Sequence, residues 1–148
     1  MTEEQVTKAI LKWLTDNQWE IVCFDFPQSG TGRLLHPNLS SDKNRKAINP
    51  DIVAVRDHVC VFFENKDRFY YPDYEKINNL RVNQDYSEAI SALLAGYSVS
   101  NIYYGIGLPT QKHKKKSEDS VNLVDFIIGV NEDRSMIPLY LQNTSIFA

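Results

Sequence analysis

Two carboxylates and an ammonium group stand where two apolar runs begin and end in "INPDIVAVRDHVCVFFENKDR", residues 48 to 68. Asp51 opens the first run, while Glu64 and Lys66 close the second with Asn65 between them. Strand side chains alternate faces, so Glu64 and Lys66 share a side. If the runs form an antiparallel hairpin about Arg56-Asp57-His58, the start of one strand lies beside the end of the other, and Asp51 meets Glu64. Two carboxylates brought together raise each other's pKa unless a cation sits between them. A hard divalent ion with oxygen ligands resolves that conflict. Mg2+, held by one or two carboxylates and otherwise by water and phosphate oxygens, suits the ligand count, with Mn2+ as a substitute. A lysine beside such an ion can orient or help deprotonate an attacking water, or meet charge on a phosphate. The chemistry these groups spell is phosphodiester hydrolysis. The bland alternative is a strand-capping Asp51 and a surface Glu64–Lys66 ion pair contributing under about 1 kcal/mol. The run "VCVFFE" argues against it, because so apolar a strand belongs in the centre of a sheet, where ending on Glu-x-Lys calls for a reason.

The elements that must hold these groups can be read in order. Thr2 followed by Gln5 is a capping box, and Val6, Ile10, Trp13 and Leu14 recur at helical spacing, which predicts a helix over 3–16. "WEIVCFDF" (19–26), rich in aromatic and β-branched residues and closed by Pro27, predicts a strand. "PQSGTGRLLHPNLSSDKNRKAIN" is a loop of a length that implies function or disorder. Strands over 51–56 and 59–65 follow. "YPDYEKINNL" and "YSEAISALLAGY" (86–97) carry helical spacing, and strands are expected over 100–108 and 122–130 with the lysine run between them as a loop. Helix, three strands, helix, strand, strand is the order of an α/β fold, a mixed sheet flanked by helices.

At 148 residues the chain fits one domain, 1–148, able to bury a core without staples. Cys23 and Cys60 both lie in apolar runs, which predicts buried thiols and agrees with a reducing cytoplasm. The acidic start "MTEEQVTK" has no apolar signal core, and no run is long enough to span a bilayer, so neither export nor a membrane is expected. A net charge of −3 argues mildly against nucleic acid, yet the basic residues gather in "KNRK" (43–46) and "KHKKK" (112–116), and two such runs on one small acidic domain favour a polyanionic partner. His36, His58 and His113 lack metal-site spacing and are expected to be solvated. Tyr70, Tyr71 and Tyr74 can stack on bases or pack at the sheet, packing being the commoner fate of such a cluster.

Pro50-Asp51, twelve residues, then Glu64-Asn65-Lys66 resembles the motif of the PD-(D/E)xK nuclease superfamily, over roughly residues 3 to 108. Ser29-Gly30 ahead of the Pro-Asp, and Glu-x-Lys followed by Tyr70 or Tyr71, are most similar to archaeal Holliday-junction resolvases and small restriction endonucleases. The resemblance implies a restriction-endonuclease-like core of helix, three strands, helix and strand, here with an extra C-terminal strand. It implies a metal bound by Asp51, Glu64 and the backbone carbonyl of Asn65, with Lys66 as the catalytic lysine. A further glutamate on the first helix is common in the superfamily. Glu3 lies close to the Val6/Ile10/Leu14 stripe and Glu4 toward its edge, while the resolvase pattern has its acid where this chain has Thr7. Ser29 and Arg33 would touch substrate, and Lys114 and Lys115 would meet DNA phosphates in a salt-sensitive way. The expectation is therefore an Mg2+-dependent DNA endonuclease of restriction or defence type, acting as a homodimer or with a partner subunit. A Holliday-junction resolvase and a non-cleaving nucleic-acid-binding module are the alternatives.

Overall fold

Gln5 donates its backbone N–H to Thr2 Oγ1 at 3.1 Å and accepts the Thr2 N–H on Oε1 at 2.8 Å, so the capping box starts helix α1 (Glu3–Asp16) where the sequence puts it. The computed structural model describes residues 1–25, 33–38 and 47–148. Ser29, Gly30, Gly32 and the basic run 43–46 lie outside the described residues.

After α1 come β1 (Glu20–Phe24), β2 (Ile52–Arg56) and β3 (Val59–Asn65). The two-residue link between β2 and β3 puts Asp57 at φ 49° and His58 at φ 68°. Both central residues therefore have the left-handed backbone of a type I′ hairpin turn, whose twist matches that of paired strands. Helices α2 (Tyr71–Val82) and α3 (Ser87–Leu93) lead to β4 (Asn101–Pro109), and short helix α4 (Lys115–Glu118) precedes β5 (Phe126–Val130) and β6 (Met136–Leu141). The fold is α/β, with six strands in the order β1-β2-β3-β4-β5-β6. β1, β2 and β3 form an antiparallel meander, β3, β4 and β5 run parallel, and β6 returns antiparallel at the edge.

Two details differ from expectation. The lysine run is not a plain loop, since it carries a 3-10 turn at Thr110–Lys112 and then α4. β6 is additional to the expected strands, and its Pro138 in "MIPLYL" sits at the sheet edge, where proline is tolerated.

Alternation along β2 and β3 divides the core between the sheet's faces. Val53, Val55, Cys60 and Phe62 join Tyr74, Ile77 and Leu80 of α2. Ile52, Ala54, Val61 and Phe63 join Val6, Ile10 and Leu14 of α1, along with Ile146. Cys23 and Cys60 are free and buried, as their apolar settings predict. At Gly107 of β4 an added Cβ would collide with the Asn65 side chain and with Ile10, so only glycine lets α1 and the end of β3 close on β4.

Candidate active site

The pairing of β2 with β3 matches Ile52 with Phe63. One step outward, Asp51 stands beside Glu64, and the Asp51 N–H donates to the Phe63 carbonyl at 3.1 Å. Both follow the alternation onto the face covered by α2. Asp51 Oδ2 accepts the Asn65 backbone N–H at 2.7 Å, which fixes the carboxylate against the end of β3. The approach to Asp51 is also held, because Asn49 Nδ2 donates to Asp25 Oδ2 at 2.6 Å and the Asp25 N–H donates to the Asp51 carbonyl at 2.8 Å.

Asn65 turns the other way, toward α1. Its Nδ2 donates to Thr7 Oγ1 at 3.0 Å, and Thr7 is buried. Where the resolvase pattern has an acid, this chain thus has a hydroxyl that anchors the residue between Glu64 and Lys66. Lys66 lies just past β3, its N–H donating to the Gly107 carbonyl at 3.0 Å. Its Nζ is 3.9 Å from Glu3 Oε2 and 4.8 Å from the centroid of the Tyr70 ring. Glu3 therefore joins the group. Glu4 does not, since its carboxylate is 3.7 Å from Lys8 Nζ, one turn along the helix.

Helix α2 adds two residues that sequence reasoning missed. Lys76 Nζ lies 3.1 Å from Glu64 Oε1, and the almost buried Asp73 faces the same group. A signal was present. Asp73 shares the helical stripe of Ile77 and Leu80, and a charge on a buried stripe asks for a partner.

Burial and crowding leave this site short of positive charge. Burial raises the Asp51 pKa, the Glu64 carboxylate raises it further, and the Asn65 hydrogen bond and Lys76 only partly oppose them. Glu64 is raised by burial too, with Asp73 and Glu3 adding to the effect against the pull of Lys76. Asp73 is raised by burial, and Lys66 and Lys76 work against the rise. Burial disfavours the Lys76 ammonium, but Glu64, Asp51 and Asp73 together hold its pKa above the ordinary lysine value.

Among the described residues, no three His, Cys, Asp or Glu side chains gather closely enough to hold an ion by themselves. A divalent ion here would rest on two carboxylates, a backbone carbonyl and water, which is how Mg2+ is commonly held. The donor chemistry fits, because hard oxygens with unbalanced negative charge are what such an ion relieves.

The other expected residues stand apart. Arg33 is exposed and lines a shallow groove with Ala89, Ala92 and Leu93. Lys114 and Lys115 are exposed, the latter 3.9 Å from Asp119. Because β3 and β4 are parallel, with Asn65 opposite Gly107, the lysine run leaves β4 at the sheet end that carries Glu64 and Lys66. His36 and His58 are exposed as expected, but His113 is not simply solvated. Its Nδ1 is buried without a partner, and burial lowers its pKa. Tyr74 packs in the core, whereas Tyr70 and Tyr71 are exposed, Tyr70 beside Lys66.

Among the described residues no helix is long and apolar enough to cross a membrane. Comparison with known proteins adds no family, since no protein-family model matches the chain and no curated protein matches its sequence.

Proposed function

We propose that this chain is a divalent-metal-dependent endonuclease of restriction or defence type, hydrolysing phosphodiester bonds in DNA on the PD-(D/E)xK plan. The observation that carries the reading is the meeting of Asp51 and Glu64 on one face at the end of the central hairpin, with Lys66 following one residue past β3 beside Glu3. The order α1, β1 to β3, α2, β4 supports it, being the order that the resemblance implies.

Asp51 and Glu64, with the Asn65 backbone carbonyl, would hold Mg2+ or Mn2+. Bound there, the ion supplies a Lewis acid for the phosphate and lowers the pKa of a coordinated water. The chain's own residues do the rest. The Asn65 N–H orients the Asp51 carboxylate. Lys66, steadied by Glu3 and Tyr70, would orient the attacking water and meet charge building on the phosphate. Lys114 and Lys115 bind backbone phosphates flanking the cut. Cutting both strands of a duplex requires two such sites, so the reading includes a second copy or a partner subunit.

Supercoiled plasmid, linear duplex and a four-way junction, each incubated with Mg2+, Mn2+ or chelator, test the proposal. Cleavage is expected with either metal and none with chelator, and Asp51→Asn and Lys66→Ala should each be slower by about a hundredfold or more. A Lys66→Ala protein that cuts as fast as the parent overturns the mechanism. Cleavage confined to the junction substrate would make the protein a resolvase, and binding without cleavage would make it a recognition module.

A further inference from the structure

Lys76 brings one positive charge to Glu64, a carboxylate that the proposed chemistry assigns to a dication. Its Nζ is 3.1 Å from Glu64 Oε1, within the field of Asp51 and Asp73, and it arrives from α2 instead of the strand that leads to Lys66. Asp73 stands three positions earlier on the same helix, and residues so spaced are neighbours on a helix surface. Asp73 is 9% exposed, and its Oδ2 is buried with no hydrogen-bond partner. A buried carboxylate oxygen left unpaired is costly, so this one needs a reason.

We propose that Lys76 is the resident counter-cation of the cation-free site, and that a divalent ion enters by exchange, the ammonium leaving Glu64 for the spare oxygen of Asp73. This rests on the nuclease reading of Asp51 and Glu64 as metal ligands and deepens it by naming what the ion must displace. Without exchange, a dication and an ammonium compete for the same Glu64 carboxylate. After exchange every charge keeps a partner, with Asp51 and Glu64 on the ion and Lys76 on Asp73. Lys66 need not move, since Glu3 and Tyr70 already surround it.

The test is titration of the full chain with Mn2+ alone, followed by the electron paramagnetic resonance signal of free Mn2+, at one pH. The proteins are the parent, Lys76→Met, Asp73→Asn and the double variant. Lys76→Met is expected to bind Mn2+ about tenfold to a hundredfold more tightly, as removal of a cation a few ångströms away implies. Asp73→Asn should bind more weakly than the parent, and most of that loss should vanish in the Lys76→Met background, where no ammonium needs a new partner. A loss equally large in both backgrounds overturns the exchange, because it would mean that Asp73 acts on the ion directly. Unchanged or weaker binding by Lys76→Met overturns it too. Lys76→Gln gives a second version should the methionine variant misfold, and thermal melts with and without Mn2+ report binding independently of titration. If the parent binds no Mn2+, the nuclease reading of the carboxylates falls and the exchange falls with it.

Discussion

The Asp51 carboxylate accepts the Asn65 N–H but is buried against the negative charges of Glu64 and Glu3, and that imbalance gives the protein a pH signature. The folded-state pKa values of Asp51, Glu64 and Asp73 are all raised. Between the ordinary carboxylate range and those raised values, the folded protein holds protons that the unfolded chain has released. Stability of the cation-free protein therefore falls as pH rises through that interval, and thermal melts without divalent ions should give a lower Tm at pH 8 than at pH 5.5. Asp51→Asn keeps an acceptor for the Asn65 N–H but removes a charge. It should stabilise the cation-free protein at pH 8 by about 1 to 2 kcal/mol, and denaturant titration at the two pH values would detect that. A variant no more stable than the parent at pH 8 would mean that the carboxylates do not oppose one another. The sequence disclosed Asp51, Glu64 and Lys66 because strand ends and alternation are local facts. It could not decide between Glu3 and Glu4, since adjacent positions on a first turn differ only in how the helix is rotated against the sheet. It did not disclose Asp73 and Lys76, because their relevance depends on where α2 crosses the sheet.

Where the elements meet, the sequence gives less guidance and packing decides. Alternation and the two-residue turn made the β2–β3 hairpin legible, and the capping box did the same for α1. The approach of α1 to β4 through Gly107 could not be read, because a glycine within a strand does not announce its neighbour. Gly107→Ala should cost about 1 to 3 kcal/mol as Ile10 and Asn65 give way. It should also loosen the Asn65–Thr7 bond behind the site, and a fall in activity larger than the fall in folded fraction would reveal this. A second junction joins α2 to the start of β5. Asp125 is buried, accepts the Tyr104 N–H at 2.9 Å and pairs with Arg81 at 3.2 Å. Arg81 Nη2 also donates to the Asn122 carbonyl at 2.6 Å. Asp125→Ala leaves the Tyr104 N–H without its acceptor and takes one partner from Arg81, so a loss of about 1 to 3 kcal/mol is expected in chemical denaturation. The lone acid within "NLVDFIIGV" was the visible sign of this junction, though its partner, more than forty positions earlier, was not.

For the whole molecule, net charge and charge placement point in different directions. A chain of net charge −3 gains little from general attraction to a polyanion, so any DNA affinity must come from local basic residues. Replacing Lys114 and Lys115 with alanine should reduce the salt dependence of duplex binding by about one unit of log–log slope per lysine, while leaving Mn2+ affinity unaltered. Fluorescence anisotropy across a salt series would measure it, and an unchanged slope would remove this run from the interface. The core has a property of its own at this scale. Phe147 lies 5.2 Å from Trp13 and 5.0 Å from Phe126, centroid to centroid, and it also approaches Trp19 and Phe63. One ring thus joins indoles near the beginning of the chain to phenylalanines of two strands, and nearby Arg56 Nη2 donates to the Ala148 carbonyl at 2.6 Å. During ribosomal synthesis, the apolar side of the first helix must wait for Phe147, far along the sequence, to be made. A nascent chain stalled short of that ring would carry uncovered tryptophans, the kind of sticky intermediate that holdase chaperones bind.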